Sequence, residues 1–420
     1  MSSSPHEVIL TSSPEGPIIA YDASSGASVT CFTGSRSPRR GLALVGKIFI
    51  AASHISPVTA SGSIHIYNWW SSTAFHKLPV PEPVAPLIGT PDGSYLFAGG
   101  LSGSVYALSV PSGDVLRSVH AHKKSVSCLR ISEDGSLLIS GSDDGTIVVI
   151  PIFQLVGSSI NQDMDQLIMH KLAAHSGAVT DIISGKELCN SQIISCSLDC
   201  TCKFWSLLRG THLRTVVFPS TILGLVLNPS ESEFYAAGSD GSVYKGSIKV
   251  GSRRIPSSKG QDHELVIAQN HNGAIVSLAM VNSGRNLVSA SEDGGVYIQK
   301  IDDGQVVLAL GNEFGSSISD LVVATGIGCG KDIVGSRLGS GEFDGVRIGL
   351  SGRQVMMSSS PVKERVEMED VLALAEKDRS RAIDLLESAI AMYERLLELI
   401  LKEAKGTSSG EVAKERENSI

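Results

Sequence analysis

The sequence repeats one pattern seven times, and this repetition limits the possible fold more than any other feature. In each copy an apolar, strand-like run is followed by a turn built on Asp or Gly and then by a second run, as in LLISGSDDGTIVVIPI at residues 137–152. The residues that open the second run are Gly16, Gly62, Gly103, Gly145, Cys200, Gly241 and Gly294. Their spacing of 41 to 55 residues is close to the period of about 40–45 residues of a propeller blade.

Each copy has room for four short strands, which together make one sheet. A single sheet of this kind cannot bury both of its faces, whereas seven sheets stacked radially bury them against their neighbours. We therefore predict an all-β chain with a seven-bladed propeller over residues 1–325. The two longest spacings are explained by insertions at 153–166 and 251–263, both placed between the third and fourth strands of their repeats. Insertions on one face often mark a binding face, and Arg253 and Arg254 make the second a candidate partner loop.

The first repeat lacks its leading strand, and a spare strand follows the seventh repeat. The spare run is Ile318 to Ala324, and Lys331 to Ser336 is a rival candidate. We expect the spare strand to pair with the N-terminal strands and so to close the ring.

Composition narrows the class of protein. Asp and Glu number 43 against 35 Lys and Arg, a net charge of −8, which argues against a protein that grips nucleic acid mainly by electrostatics. We expect nucleic-acid contact to be indirect or weak. No apolar stretch is long enough for a membrane span, and the start shows no secretory leader, so the sequence predicts a soluble intracellular protein with reduced thiols. No cofactor is predicted.

The best-preserved repeat resembles the WD-repeat family. Ala174-His175 takes the place of the family's Gly-His, Asp199 lies in the turn between the second and third strands, and Trp205 stands where the family has Trp-Asp. The resemblance implies a buried hydrogen-bonded network of His175, Asp199 and Trp205, with Ser195 or Ser197 as its hydroxyl. Partial copies that lack the Trp pair His122 with Asp144 and His271 with Asp293.

The likeness extends along nearly the whole chain. TSSPEGPIIAYDASSG, FTGSRSPRRGLAL and AASHISPVTASGSIHIYNWWSS are similar to plant members of the family. The architecture is similar to the WD-repeat subunits of the nucleolar complex that processes the second internal transcribed spacer of pre-ribosomal RNA. This implies a nuclear, non-enzymatic scaffold with pre-60S processing partners and, from the plant members, a role in root or meristem initiation. The alternatives are a substrate receptor or adaptor in a ubiquitin-ligase or signalling complex, and a pre-replicative chromatin factor.

The last 60 residues differ from the rest, with 24 charged side chains among them. A Gly/Ser-rich linker at 326–360 leads to Pro361, and residues 361–405 predict one long α-helix, with a disordered tail at 406–420. Its apolar positions repeat at alternating steps of four and three, as in a coiled coil. The candidate interface residues are Leu372, Leu386, Ile390, Tyr393, Leu397 and Ile400. The resemblance favours a homodimer through this helix, and the alternative is that it folds back on its own propeller.

Other candidate motifs have simpler interpretations. Residues 325–332 lack the first Gly and the Ser or Thr of a phosphate loop. Cys189, Cys196, Cys200 and Cys202 are expected to be core thiols rather than zinc ligands. The segment SRSPRR at 35–40 holds Arg36, Arg39 and Arg40 and a Ser-Pro site. It is interpreted as a solvated loop between blades, with contact to RNA phosphate or acceptance of a phosphate as the alternative.

Overall fold

A computed structural model describes residues 6–157, 167–185, 192–248, 265–310 and 317–325. The predicted linker, helix and tail lie outside the described residues. So do the insertion at 251–263 with Arg253 and Arg254, and most of the insertion at 153–166. Among the described residues, no helix has the length and apolar character needed to cross a membrane.

The described strands form seven four-stranded antiparallel sheets, which confirms the predicted seven-bladed propeller. Blade 1 consists of β28 (Asp320–Thr325), β1 (Glu7–Ser12), β2 (Ile18–Asp22) and β3 (Ser28–Phe32). Blade 2 consists of β4 (Leu42–Val45), β5 (Phe49–Ile55), β6 (Gly62–Asn68) and β7 (His76–Pro79). Blade 3 consists of β8 (Val84–Gly89), β9 (Tyr95–Gly100), β10 (Ser104–Ser109) and β11 (Val115–His120). Blade 4 consists of β12 (Val126–Ile131), β13 (Leu137–Ser142), β14 (Thr146–Pro151) and β15 (His170–Ala173).

The other three blades follow the same order from inner to outer strand. Blade 5 consists of β16 (Val179–Ser184), β17 (Gln192–Ser197), β18 (Thr201–Ser206) and β19 (Thr211–Val217). Blade 6 consists of β20 (Ile222–Leu227), β21 (Glu233–Gly238), β22 (Ser242–Ser247) and β23 (Leu265–Gln269). Blade 7 consists of β24 (Ile275–Val281), β25 (Asn286–Ser291), β26 (Val296–Lys300) and β27 (Val306–Leu310). Both insertions fall between the third and fourth strands of their blades, as predicted, and the first begins with the short helix α1 (Ile152–Val156).

The second strand of each blade is buried on both faces, and its sequence reflects this. In β13 the five residues from Leu138 to Ser142 are all buried, so the strand reads as apolar or small residues without a polar face. The outer strand β11 has mostly exposed residues. The buried apolar side chains fall into seven clusters, each shared by two neighbouring blades, because one sheet can bury its faces only against the next.

The ring is closed by β28, which pairs antiparallel with β1. Glu7 lies opposite Thr325, and Ser12 lies opposite Asp320. The hydroxyls of Ser12 and Ser319 are 2.9 Å apart, and both side chains are buried. This is the closing strand that the sequence predicted, and the rival segment at 331–336 lies outside the described residues.

The turns between second and third strands place a glycine against the next blade. Gly145 has φ +79°, and a Cβ built on it would lie 2.3 Å from the carbonyl oxygen of His175. Gly241 has φ +80° and stands in the same relation to the carbonyl of His271. Cys200 occupies this position in blade 5 with φ +61° and is partly exposed. The prediction that it is a core thiol is therefore wrong, because it belongs to the turn, whereas Cys196 and Cys202 are buried.

Replacement of Gly145 by Ala tests this packing of turn against blade. We expect a loss of more than about 2 kcal/mol in the free energy of unfolding, since a left-handed φ and a blocked Cβ act together. Gly135→Ala is the matched control, because Gly135 has φ +72° with nothing within 4 Å of its Cβ. Its loss should be about 1 kcal/mol. Equal losses in chemical denaturation would show that the contact with blade 5 contributes nothing.

Candidate functional site

The polar side chains of blade 5 form one buried network. His175 lies in the connection before β16, and its Nδ1 is 3.0 Å from Asp199 Oδ2. The other nitrogen of the same imidazole, Nε2, is 2.8 Å from the hydroxyl of Ser195. Trp205 donates its indole N–H to the same hydroxyl at 3.0 Å. Thr201 donates its hydroxyl to Asp199 at 2.6 Å. Of the two candidate serines, Ser195 and not Ser197 contacts the histidine. The hydroxyl of Thr201 also lies 3.2 Å from Nδ1.

Burial sets the charge of the histidine in this network, and hydrogen bonds set that of the carboxylate. Burial lowers the pKa of His175, and the nearby Asp199 carboxylate offsets this only in part. Burial by itself raises the pKa of Asp199, but the hydrogen bond from Thr201 and the proximity of His175 outweigh it and lower the pKa to about 2. At neutral pH a neutral imidazole therefore donates from Nδ1 to a carboxylate and accepts from Ser195 at Nε2.

Blade 4 builds the same network with a threonine as intermediary. His122 Nδ1 is 2.8 Å from the hydroxyl of Thr146, which donates to Asp144 at 2.6 Å. The direct distance from His122 Nδ1 to Asp144 is 3.8 Å. Nε2 is 2.8 Å from Ser140. Burial lowers the pKa of His122 to about 4, so this imidazole is also neutral at pH 7. Ile150 stands where blade 5 has its tryptophan.

Blade 7 keeps only half of the network. His271 Nε2 is 2.7 Å from the hydroxyl of Ser289. Its Nδ1 is buried and has no hydrogen-bond partner among the described residues. Asp293 accepts a hydrogen bond from the backbone of Gly295, which stands where blades 4 and 5 have threonine. The bridging hydroxyl is therefore missing, and the ring of Tyr297 packs on the histidine at 4.6 Å instead.

The order Asp, His, Ser in blade 5 is also that of a hydrolase triad, but its environment differs. Ser195, Ser140 and Ser289 are each 0% exposed. A nucleophile needs access to its substrate and donors aimed at the developing oxyanion, and Ser195 instead lies under Trp205. These hydroxyls join strands within a blade and cannot meet a substrate in the folded chain.

Blades 3 and 6 contain carboxylate–tyrosine networks that the sequence analysis missed. Tyr106 donates its hydroxyl to Glu82 at 2.7 Å, and Ser102 donates to the same carboxylate at 2.6 Å. In blade 6, Tyr244 donates to Asp240 at 2.6 Å. The signal was present as the string GSVY, which occurs at 103–106 and again at 241–244.

The prediction of a solvated loop at 35–40 is wrong for its last two arginines. Arg39 and Arg40 each donate to the carbonyl of Leu223 on β20, at 2.8 Å and 3.0 Å. Arg40 also forms an ion pair of 2.9 Å with Asp181 on β16. From the connection between blades 1 and 2, the two guanidinium groups thus cross to the inner strands of blades 5 and 6. They are not available as a partner loop.

The carboxylates at the centre of the ring tie several blades together. Asp181 is 2% exposed and accepts from the backbone of Leu225 at 2.8 Å. Arg130 on β12 lies 3.5 Å from the same carboxylate. Asp320 accepts from the backbone of Leu42 at 3.3 Å. Burial raises the pKa of Asp320, and the charge of Arg40 offsets this in part. Burial lowers the pKa of Arg40, but surrounding charges, led by Asp181, raise it overall.

Two other candidates from the segment 35–40 differ in their exposure to solvent. Arg36 is exposed and stays available for contact. Ser37 of the Ser-Pro site is 1% exposed, so it cannot accept a phosphate in the folded chain.

Within the part of the chain that the structure describes, no three His, Cys, Asp or Glu side chains come together as a metal site. Cys189, Leu372, Leu386, Ile390, Tyr393, Leu397 and Ile400 lie outside that part.

Asp199→Ala tests the bracing role that the resemblance implies. We expect it to lower the free energy of unfolding by about 3 kcal/mol, because it removes the buried carboxylate that accepts from His175 Nδ1 and from the hydroxyl and backbone N–H of Thr201. Asp293→Ala is the matched control, since His271 already lacks that bond, and its loss should be about 1 kcal/mol. If the two variants lose the same stability in urea titrations, the bond to His175 does not brace the blade.

Asp181→Asn tests the charges at the centre of the ring. It leaves the buried Arg40 without its carboxylate, and we expect a loss of about 3–5 kcal/mol. Glu133→Gln removes an equal charge from an exposed turn and should change stability by less than about 0.5 kcal/mol. Equal melting temperatures for the two variants would contradict the assignment.

Comparison with known proteins gives several relatives. The chain is 38% identical over 291 residues to Protein ROOT INITIATION DEFECTIVE 3 of Arabidopsis thaliana, covering 69% of this chain and 65% of that protein, slightly less than two thirds. It is 26% identical to WD repeat-containing protein 18 of Rattus norvegicus, covering 72% of this chain and 70% of that protein. It is 29% identical to Pre-rRNA-processing protein IPI3 of Mycosarcoma maydis, covering 44% and 33%.

A family model also matches the chain. The model described as Neurobeachin beta propeller domain aligns with residues 82–340, more than half of the sequence. This range includes all the described strands from β8 to β28 and therefore five complete blades together with the closing strand. From the seven four-stranded sheets and this match, the chain belongs to the WD-repeat β-propeller family.

Proposed function

We propose that this chain is a non-enzymatic scaffold subunit of a nuclear complex that processes pre-ribosomal RNA and matures the 60S ribosomal subunit. The observation that carries the proposal is the similarity to a fungal protein named for pre-rRNA processing, together with the similarity to WD repeat-containing protein 18. The nuclear or nucleolar location is part of the same proposal. The name of the Arabidopsis relative adds root initiation as its developmental context.

The site geometry supports a binding role rather than a chemical one. The histidines and carboxylates that resemble catalytic groups are occupied in holding blades together, as at His175 and Asp199. What the propeller offers to other molecules is its surface, including exposed Arg36 and the loops between strands. Since the net charge is −8, we propose that contact with RNA is made chiefly through partner subunits.

Purification of the tagged full-length chain from nuclear extract tests the complex. We expect large-subunit assembly factors and pre-ribosomal RNA to co-purify, identified by mass spectrometry and by hybridisation to the second internal transcribed spacer. The matched control is the Asp181→Asn variant, whose destabilised propeller should lose these partners. Recovery of cullin-type ligase subunits without ribosomal factors would favour the adaptor alternative. Recovery of pre-replicative chromatin proteins alone would favour the chromatin role.

We also propose that residues 361–405 form a helix through which two copies of the chain associate. Leu386→Asp combined with Leu397→Asp places charges in the predicted seam, and we expect a monomer in sedimentation velocity. Ser388→Asp combined with Ala391→Asp adds the same charge outside the repeat of apolar residues and should leave the dimer intact. If the seam variant sediments as the wild type does, the dimer does not depend on this helix.

A further inference from the structure

Four Ser-Pro or Thr-Pro dipeptides lie within the described residues, and they differ in exposure. Three of the four hydroxyl residues are buried: Ser13 is 5% exposed, Ser37 is 1% exposed and Thr90 is 7% exposed. The fourth, Ser56, is partly exposed and is followed by an exposed Pro57. A protein kinase must bring the acceptor hydroxyl into its own active site, so burial excludes the first three while the propeller is folded. Ser56 is the one of the four that such an enzyme can reach.

Ser56 lies at the tip of the hairpin that joins β5 to β6. Its backbone N–H donates to the carbonyl of Ser61 at 3.0 Å, which extends the pairing of β5 with β6 by one step. The tip beyond this pair is open to solvent, and Val58 is 90% exposed. The Ser56 hydroxyl accepts a long hydrogen bond of 3.4 Å from the backbone N–H of Thr59, and little stability would be lost with it. Exposed loop tips of this kind are the segments that other enzymes reach most readily.

The face of blade 2 that Ser56 shares carries basic side chains. Because side chains alternate along a strand, Ser56 follows His54 on the same face. The ring of His65 on β6 is stacked on that of His54, with 4.5 Å between the ring centroids. Lys77 lies opposite His65 on β7. Arg36 adjoins the pair, since its backbone N–H donates to His54 Nδ1 at 3.0 Å. These four side chains, of Arg36, His54, His65 and Lys77, are called the basic face of blade 2.

No carboxylate acts on the imidazoles of the basic face. Burial lowers the pKa of His54, and the positive charges of Lys77 and Arg36 lower it further. Burial also lowers the pKa of His65, to about 4, and the proximity of His54 and Lys77 adds to the effect. Neither Arg36 nor Lys77 forms an ion pair with a described residue. An anion placed on this face would therefore meet cations that no acidic side chain has neutralised.

A phosphate on Ser56 would lie within reach of the basic face. Side chains two residues apart on a strand are separated by about 7 Å, which is the distance to be bridged between Ser56 and His54. Arg36 and Lys77 are long side chains, and both are exposed, so each can turn towards the phosphate. The three acceptor oxygens of a phosphate suit guanidinium and ammonium donors, and a phosphate placed beside basic groups orders the segment that carries it.

We propose that Ser56 is the acceptor of a proline-directed protein kinase and that the basic face of blade 2 holds the resulting phosphate. The kinase transfers the γ-phosphoryl group of ATP to the Ser56 hydroxyl. A bond forms between Oγ and the γ-phosphorus, and the bond from that phosphorus to the β–γ bridging oxygen breaks. ADP leaves, and the hydroxyl proton passes to the catalytic base of the kinase. The phosphate neutralises the basic face and, through Arg36, ties the hairpin tip to the segment between blades 1 and 2.

Treatment of the folded full-length chain with a cyclin-dependent kinase and ATP tests the site. We expect the occupancy at Ser56, measured by peptide mass spectrometry, to exceed that at Ser13, Ser37 or Thr90 at least about tenfold, because buried sites react only after local opening. Synthetic peptides that carry the same four dipeptides are the matched control, and each occupancy is divided by the rate of its peptide. Equal values after this division, or no phosphate at Ser56, would overturn the proposal.

NMR titration of the labelled imidazoles tests where the phosphate goes. We expect phosphorylation to raise the pKa of His54 by roughly one pH unit, because a nearby dianion favours the imidazolium form. The resonance is assigned with His54→Gln. His212, which is exposed in blade 5, is the internal control and should titrate as before. The Ser56→Ala variant, treated with the same kinase, should show no rise and so excludes an effect of phosphates elsewhere in the chain.

Two results of this titration would contradict the proposal. An unchanged pKa of His54 in the chain phosphorylated at Ser56 would show that the basic face does not hold the phosphate. An equal rise when inorganic phosphate is added to the unmodified chain would make the face a site for a free anion, for which the Ser56 hydroxyl is not needed.

Discussion

The pairing of β28 with β1 is the interaction on which the remaining structure depends. It joins residues that are more than 300 positions apart, so that Glu7 lies opposite Thr325. Without it blade 1 would have no inner strand, and the cluster shared by blades 7 and 1 would lose Leu321 and the packing around it. Every blade buries its faces only against two neighbours, and an open ring would leave two faces in water. The cost of ordering a loop of this length grows slowly with length, so the closing contacts can offset it.

Buried polar groups add hydrogen bonds and an ion pair between specific partners to this apolar packing. Within blades they form a graded series: complete in blade 5, bridged by Thr146 in blade 4, and left with an unpaired nitrogen at His271 in blade 7. At the centre, Arg40 joins the segment between blades 1 and 2 to Asp181 of blade 5. A buried ion pair of this kind is a strong constraint on register, because any slip would strand a charge in the interior. We therefore expect the pair to favour this arrangement of the blades over any arrangement that separates the two charges.

Because these polar groups are occupied inside the propeller, we expect partners to bind at its surface. The groups that resemble a catalytic constellation are closed to solvent, and the arginines that resembled a phosphate-binding loop are occupied at the centre. The proposed scaffold role in pre-rRNA processing requires separate places for separate partners. The ring has outer strands of two kinds, four with a cation and three without, and this asymmetry distinguishes one part of the circumference from the other.

The sequence by itself determined the number of blades and the position of the two insertions, because the period of the repeat and the turn residues are local signals. It left two candidates for the closing strand, and the tertiary structure pairs the first of them with β1. It also indicated the pairing of His175 with Asp199. It did not determine the destination of Arg39 and Arg40, since a run of basic residues has the same appearance whether it faces solvent or a carboxylate that is more than 140 positions away, as Asp181 is. Nor did it distinguish Cys200 from its buried neighbours, because exposure in a turn depends on how far the next blade covers it. Only the tertiary structure decides these points, since burial and charge pairing are properties of the closed ring and of no single repeat.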